Sequence, residues 1–386
     1  MQRRDFLRLL GTAALIPWST DLAFAAAPRA DYQRLLVLVE LKGGNDGLNT
    51  VIPYADDEYH RLRPRLGIAR DQVLQLDEFT GLHPSLQRLM PLWQAKEVAI
   101  VQGVGYPKPN LSHFRSIEIW DTASDSDEYR EQGWLTQLFA AAPPPRSFAA
   151  DGVLLGSQEL GPLAGGRTRA IALNKPEAFA RQGRNMPAPA ARAPNPALAH
   201  LLKVEDDIRQ AAEDLKSDYD FRTEFPQTAF ANNLKTAAQV VAASTGVAAI
   251  RVTLNGFDTH SNQLATQTRL LAEFAGGMAA FKSALQEIRK WDSTLIMTYA
   301  EFGRRAHENG STGTDHGTAS AHFLIGGKVK GGLYGERPVL TQLESGNLRH
   351  AVDFRQLYAT AAEQWWQLPA RRVFGGRFAP LNVLRV

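Results

Sequence analysis

Six apolar side chains, Leu271, Phe274, Met278, Phe281, Leu285 and Ile288, recur at spacings of 3, 4, 3, 4 and 3. That period marks one face of a long α-helix. An apolar run from Ala248 to Asn255 precedes it, and a second run, Thr294 to Thr298, follows it. Strand, helix, strand at this length is a βαβ unit, so the two strands run parallel. Arg34 to Leu41 is a near-continuous apolar run, fit for a strand buried on both faces, and Val98 to Val104 is another strand. The expectation is a three-layer α/β/α fold around a mostly parallel central sheet. In such a sheet, ligands bind just outside the carboxyl ends of the strands.

That edge collects polar chemistry. The 248–255 run ends in Gly256-Phe257-Asp258-Thr259-His260, and the 294–298 run ends at Glu301, followed by Phe302, Gly303, Arg304 and Arg305. A Gly/Ser/Thr/Asn loop then delivers Asp315 and His316, and the apolar run Phe323 to Ile325 closes the unit. The first strand ends in Gly43-Gly44-Asn45-Asp46-Gly47. This is either an ordinary Asn-Asp-Gly turn or a loop that presents Asp46 past the strand end. Ser112 follows the loop Gly105 to Leu111 and opens a helix. It is either a plain N-cap or a nucleophile or anion site, since a helix start tolerates negative charge.

The chain has no cysteine, which excludes disulfides, thiolate metal sites and a thiol nucleophile. Any metal must be held by carboxylates, imidazoles, hydroxyls or amides. Oxygen ligands suit Mg, Ca or Mn, and added histidine suits Zn. A serine beside such a cation is activated as an alkoxide, as bound water is. Arg115, Arg304 and Arg305 are candidates to hold an oxyanion. A formal charge of +3, from 43 basic and 40 acidic residues, gives no case for nucleic acid.

Arg3-Arg4 precedes an apolar run from Leu9 to Trp18, then small residues at Ala23 to Ala27. Residues 1–27 read as a twin-arginine export signal, too short to span a bilayer, so the expected location is periplasmic or secreted. No integral membrane segment is expected in the mature chain. Residues 28–386 read as a single domain. Within it, 183–199 is an Ala/Pro/Asn-rich crossing segment, Leu201 to Leu215 a charged helix, and Pro226 to about Ser244 another helix. Together 183–245 suggests a helical insertion or cap. His83-Pro84 starts a helix with Leu86, Leu89, Leu92 and Trp93 on one side, and Asp353-Phe354-Arg355-Gln356 has capping-box spacing for a last helix through Trp366.

Gly43-Gly44-Asn45-Asp46-Gly47-Leu48-Asn49-Thr50, Ser112-His113-Phe114-Arg115-Ser116, Gly256-Phe257-Asp258-Thr259-His260, Glu301-Phe302-Gly303-Arg304 and Thr314-Asp315-His316-Gly317-Thr318 occur in that order. With them the chain resembles the DUF1501 family over nearly its whole mature length. It is more remotely similar to the alkaline phosphatase and sulfatase superfamily. The resemblance implies an alkaline-phosphatase-like fold and a divalent metal, of Zn, Mn, Mg or Ca. It implies metal ligands at Asp46, Asp258, His260, Glu301 and His316, with Asp315 a replacement ligand. Ser112 resembles the nucleophile, with Arg115 beside it, and Asn45, His113 and Arg304 are the expected substrate-binding residues. Phe302 stands where the superfamily has a metal-binding histidine. No proline follows Ser112 in the pattern that formylglycine formation needs, so a plain serine is expected there.

Two functions follow. One is an exported metal-dependent hydrolase of phosphate or sulfate esters, acting on a small-molecule or glycan ester through Ser112. The other is a non-catalytic envelope protein for binding or assembly, on the same fold with a degenerate metal site, which Phe302 favours. A serine hydrolase of the nucleophile-elbow kind is disfavoured, because no Gly-x-Ser-x-Gly surrounds Ser112.

Overall fold

The computed structural model describes residues 30–173, 217, 219–243, 246–376 and 378–386. The proposed export signal, the 183–199 segment and the Leu201 to Leu215 helix lie outside the described residues. Among the described residues the main sheet has nine strands: β1 (Leu35–Lys42), β2 (Val98–Gly105), β3 (Ala150–Leu155), β4 (Ala170–Ala172), β5 (Val247–Asn255), β6 (Thr294–Tyr299), β7 (Ser320–Ile325), β8 (Gly332–Tyr334) and β9 (Val352–Asp353). The order is β8-β2-β7-β6-β1-β5-β3-β4, with β9 also on β2. As the βαβ pattern requires, β5 and β6 are parallel, and β1 lies between them, in register with both. Only β7 runs against its neighbours, β6 and β2. The start of β7 therefore lies at the same edge as the ends of β6 and β1. That is how residues before a strand, Asp315 and His316, reach an edge built from strand ends.

Alternation along β1 shows why it is central. Val37, Val39 and Leu41 enter one core, and Leu36 and Leu38 enter the other. Both faces of the sheet are thus covered, and the fold is a mixed α/β structure with a large, mostly parallel sheet. Helix α1 (His113–Thr122), α2 (Trp134–Ala141) and α5 (Phe354–Ala359) contribute to the second core. Helices α3 (Ala229–Ala242) and α4 (Gln263–Glu287) contribute to the first. Phe230, Leu234, Ala237 and Ala238 of α3 are buried with Phe274 of α4, so this part of the suspected cap belongs to a main layer. The helix expected after His83 begins as a 3-10 turn, Pro84–Leu89, and becomes α only at Met90–Gln94. The capping box at Asp353 and Gln356 forms, and its helix widens into a π segment at Thr360–Trp365. Among the described residues no helix is long and apolar enough to cross a membrane.

Candidate metal centre

Five segments meet at this edge, and close backbone approach makes the meeting possible. Gly43 has φ +112°, and a Cβ there would lie 2.3 Å from the Asp258 backbone nitrogen. Gly44 has φ +79°, and a Cβ there would lie 2.5 Å from the Phe302 ring. Only glycine suits such positions. The loop after β6 also forms a short ladder with the segment before β7: Gly303 N–H donates to Thr318 O and Gly317 N–H to Gly303 O, both at 2.9 Å. This ladder fixes His316 beside the end of β6.

Arg304 is the tie between the loops. Its side chain is fully buried and donates to the carbonyls of Gly44 (2.7 Å), Thr314 (2.8 Å), Phe257 (3.1 Å) and Gly43, and to Asp258 Oδ1 (2.8 Å). Buried among these acceptors, it has no open face for a ligand, so its expected substrate-binding role gives way to one of holding Asp258 in place.

Around Asp258 the imidazoles converge. Asp258 Oδ1 is 3.0 Å from His260 Nε2 and 3.4 Å from His316 Nε2, and the two imidazole nitrogens are 2.9 Å apart. His113 Nε2 approaches Asp258 Oδ2 at 3.5 Å. Ligand atoms of His113, Asp258 and His316 all lie within 4.8 Å of one another. Ligands about 2.0–2.1 Å from a tetrahedral zinc stand about 3.3 Å apart. The triangle of Asp258, His260 and His316 is close to that size, so the donor set fits a small divalent cation.

The far side of each ring is occupied by an oxygen. His316 Nδ1 donates to Leu111 O at 2.7 Å, and His113 Nδ1 to Glu301 Oε1 at 2.8 Å. His260 Nδ1 lies 3.5 Å from Asp315 Oδ1. A carbonyl can only accept, so His316 carries its proton on Nδ1 and turns the Nε2 lone pair toward Asp258. Outer-sphere oxygens fix ring and tautomer in this way in metal sites. Burial pushes the His316 pKa down, which keeps the ring neutral. The hydrogen bond that His113 donates to Glu301 raises its pKa against an opposing effect of burial. Burial acts to raise the Asp258 pKa, but Arg304 outweighs it and holds the carboxyl below its usual range. The Asn309 hydrogen bond does the same for Asp315.

The remaining expected site residues are placed differently. Glu301 turns both oxygens to the Gly43 N–H, at 3.0 and 3.1 Å, and stands behind His113. Asp315 stands behind His260. Asp46 is buried, caps the Gly47–Thr50 turn through the Leu48 and Asn49 N–H groups, and pairs with buried Arg63 and Gln263. All its oxygen capacity toward solvent is used, which removes it from the ligand set. Asn45 is buried and exchanges hydrogen bonds with Thr50 at 2.9 and 3.1 Å, so it does not face a substrate. Arg115 points away, onto the carbonyls of Asp125, Ser126 and Glu128. His113, expected to bind substrate, instead stands in the group that could hold a metal. Its place next to Ser112 at a helix start was the available signal.

Ser112 is exposed at the N-cap of α1, and its hydroxyl caps no backbone N–H. Its neighbours on both sides, Leu111 and His113, touch the cluster. Ser116, one turn on, donates to Glu301 O and shares a hydrogen bond of 2.8 Å with Tyr106, anchoring the helix to the end of β6. Phe302 lies beneath the rings of His316 and His113, with centroids 4.5 and 4.9 Å away.

A family model described as "Protein of unknown function (DUF1501)" matches residues 99–374, and the chain belongs to that family. No curated protein matches the chain. Among solved structures it is similar to the periplasmic C-terminal domain of EptC from Escherichia coli in complex with Zn. That match has 11% identity and a TM-score of 0.40, covering 86% of this chain and 81% of that one. It is also similar to a protein in the alkaline phosphatase superfamily from Vibrio parahaemolyticus, with 9% identity, TM-score 0.41 and coverage of 88% and 68%. A third is alkaline phosphatase from the Antarctic bacterium TAB5, with 10% identity, TM-score 0.35 and coverage of 78% and 92%.

Proposed function

We propose that this DUF1501 protein is an exported metal-dependent hydrolase of phosphate or sulfate esters with Ser112 as nucleophile. The observation that carries the reading is the convergence of His113, His260 and His316 on Asp258, each ring backed by an oxygen at Nδ1. A divalent cation held there supplies positive charge that lowers the pKa of a nearby hydroxyl and polarises an ester oxygen. Ser112 Oγ forms a bond to phosphorus or sulfur as the ester O–P or O–S bond breaks. The serine proton ends on the leaving alkoxide. Water then hydrolyses the seryl ester and restores the hydroxyl. The start of α1 favours the negative charge that develops beside Ser112.

A specific observation favours a second reading, a non-catalytic binding protein with a reduced metal site. Phe302 packs on two of the imidazoles and cannot ligate. One experiment separates the two. Metal content is measured in protein purified without chelator, beside Asp258→Ala and His316→Ala. About one or two equivalents, lost in both variants, support the metal centre. Turnover of aryl phosphates and sulfates that disappears in Ser112→Ala supports the hydrolase. Bound metal without any turnover favours the binding protein, and undiminished turnover in Ser112→Ala removes Ser112 as nucleophile.

A further inference from the structure

A line of hydrogen bonds runs beneath the loop that leads to Ser112. Tyr106 follows the last residue of β2, is 4% exposed, and packs edge-on against Phe354 with ring centroids 5.6 Å apart. Its Oη lies 2.8 Å from Ser116 Oγ and 3.1 Å from the Asn110 nitrogen. The direction of each bond follows from proton count. The Glu301 carbonyl can only accept, so Ser116 spends its one hydroxyl proton there. Tyr106 then donates to Ser116 Oγ, and its oxygen accepts from the Asn110 N–H. A 3.5 Å approach to Asn110 O is the weaker alternative for the phenol proton. Burial pushes the Tyr106 pKa up, so the phenol keeps that proton. Just beyond, Asn110 Oδ1 accepts from the Ser112 N–H at 2.9 Å, and Leu111 O accepts from His316 Nδ1 at 2.7 Å.

We propose that Tyr106 is a positioning residue for the metal centre: its phenol fixes the turn at Asn110, and through it the Leu111 carbonyl that holds His316 and the backbone of Ser112. The inference rests on the metal-centre part of the hydrolase reading and adds a residue outside the ligand group. The loop can pass the constraint on because Pro107 and Pro109 hold their own φ at about −65°, which leaves few free torsions between Tyr106 and Leu111. A second tie, from Ser126 Oγ to the carbonyls of Pro107 (3.0 Å) and Lys108 (2.6 Å), is exposed to water and stops short of Leu111. Tyr106 is the buried tie, and through Ser116 it reaches the end of β6. Without the hydroxyl, the Asn110 N–H loses its acceptor and the peptide carrying Leu111 O is freer to turn. The His316 ring follows, since an oxygen at Nδ1 is what selects its tautomer.

The test reads the His316 imidazole in the metal-free full chain at pH 8, by long-range proton–nitrogen NMR, with the signal identified by its loss in His316→Ala. The parent should show one tautomer, protonated at Nδ1. Tyr106→Phe, which keeps the ring packed, and Asn110→Ala should each give a mixture of tautomers. Each should also weaken zinc binding roughly three- to tenfold in competition with a chelating dye, less than the about 10–100-fold expected when a histidine loses its own outer partner. Both changes break one chain, so the double variant should lose no more than the stronger single. Tyr32→Phe is the control: it removes another buried phenol, which donates to Ala142 O ahead of β1, and should change neither reading. A thermal melt checks folding, and Asn110→Ala decides alone if Tyr106→Phe does not fold. A lower melting temperature with tautomer and affinity at the parent's values makes Tyr106 an ordinary packing residue and overturns the proposal. Additive losses in the double variant overturn it as well. The two readings fail separately. A tautomer shift, in a protein whose parent hydrolyses no ester, keeps the role of Tyr106 and removes the hydrolase. Serine-dependent turnover with an unshifted tautomer keeps the hydrolase and removes the role of Tyr106.

Discussion

Glu301→Gln is the substitution that most directly probes the centre without touching a ligand. The side chain is 4% exposed and accepts three hydrogen bonds, two from Gly43 N–H and one from His113 Nδ1–H at 2.8 Å. Glutamine has the same shape but only one oxygen. With that oxygen at the Oε1 position both donors keep an acceptor while the amide NH2 faces the Gly43 N–H; with the NH2 there instead, it meets both the Gly43 N–H and the His113 Nδ1–H, donor against donor. A buried donor left without a partner costs about 1–3 kcal/mol. If His113 loses its orientation, that cost falls on metal binding, and losing an outer partner of a ligating histidine weakens affinity by about 10–100-fold. The assay is competition against a chelating dye at pH 8, with a thermal melt of the metal-free protein to show that it remains folded. Asp315→Asn is the control. Asp315 is 3.5 Å from His260 and 55% exposed, so screening by water should hold its effect below about fivefold. Equal affinity in Glu301→Gln and parent would refute the claim that Glu301 positions a ligand.

Other substitutions test how the edge is held together. Asp46→Asn breaks a buried ion pair with Arg63 and should cost about 3–5 kcal/mol in urea unfolding, while the folded fraction keeps the parent's metal content. Loss of metal from a stably folded Asp46→Asn would return Asp46 to the ligand set. Gly44→Ala forces a Cβ against the Phe302 ring at a positive φ, and should lower stability by roughly 1–3 kcal/mol. It should also weaken metal binding, because Phe302 supports the His316 ring; unchanged melting and affinity would count against this packing. Burial pushes the pKa of His322 from 6.5 down to about 3. Between those values the unfolded chain binds a proton that the folded chain refuses, so this group's stabilisation is full above pH 6.5 and declines as pH falls toward 3. The slope is about 1.4 kcal/mol per pH unit, and urea melts in EDTA at pH 5 and 7 should show a smaller difference for His322→Phe. An equal difference in both proteins would place the acid sensitivity elsewhere.

The sheet was legible because its signals are local. Period in Leu271 to Ile288 marks α4, and apolar runs on either side mark β5 and β6. The direction of β7 was not legible, since a short apolar run carries no information about which neighbours it joins. The site divides in the same way. Residue types and the strand ends that carry them could be read from the chain, and Asp258, His260 and His316 meet as their positions suggested. What could not be read is which atom each group faces. Asp46 is neutralised by Arg63, a residue seventeen positions away with no motif around it. Arg304 resembled an anion binder because its four carbonyl partners come from the loops after β1 and β5 and from the far end of its own connection, and those are brought together only by the fold.

This redistribution of partners changes the metal that the site should prefer. An expected set of four carboxylates, Asp46, Asp258, Glu301 and Asp315, with two histidines would favour a hard cation such as Mg or Ca. In the structure Asp46 is paired with Arg63, and Glu301 and Asp315 stand behind imidazoles. What gathers at the site is Asp258 with His113 and His316, and His260 stands against the same carboxylate. Imidazoles with one carboxylate suit Zn over Mg or Ca, because nitrogen ligands favour the later, softer cations. Protein stripped with EDTA and offered equal concentrations of Zn, Mn, Mg and Ca should therefore retain Zn after gel filtration. Zn should also raise its melting temperature the most, since a ligand stabilises the folded state in proportion to its affinity. The preference should vanish in His316→Ala. Retention of Mg or Ca in preference to Zn would mean that oxygen ligands dominate the bound state, and that Glu301 or Asp315 turns inward when the cation enters.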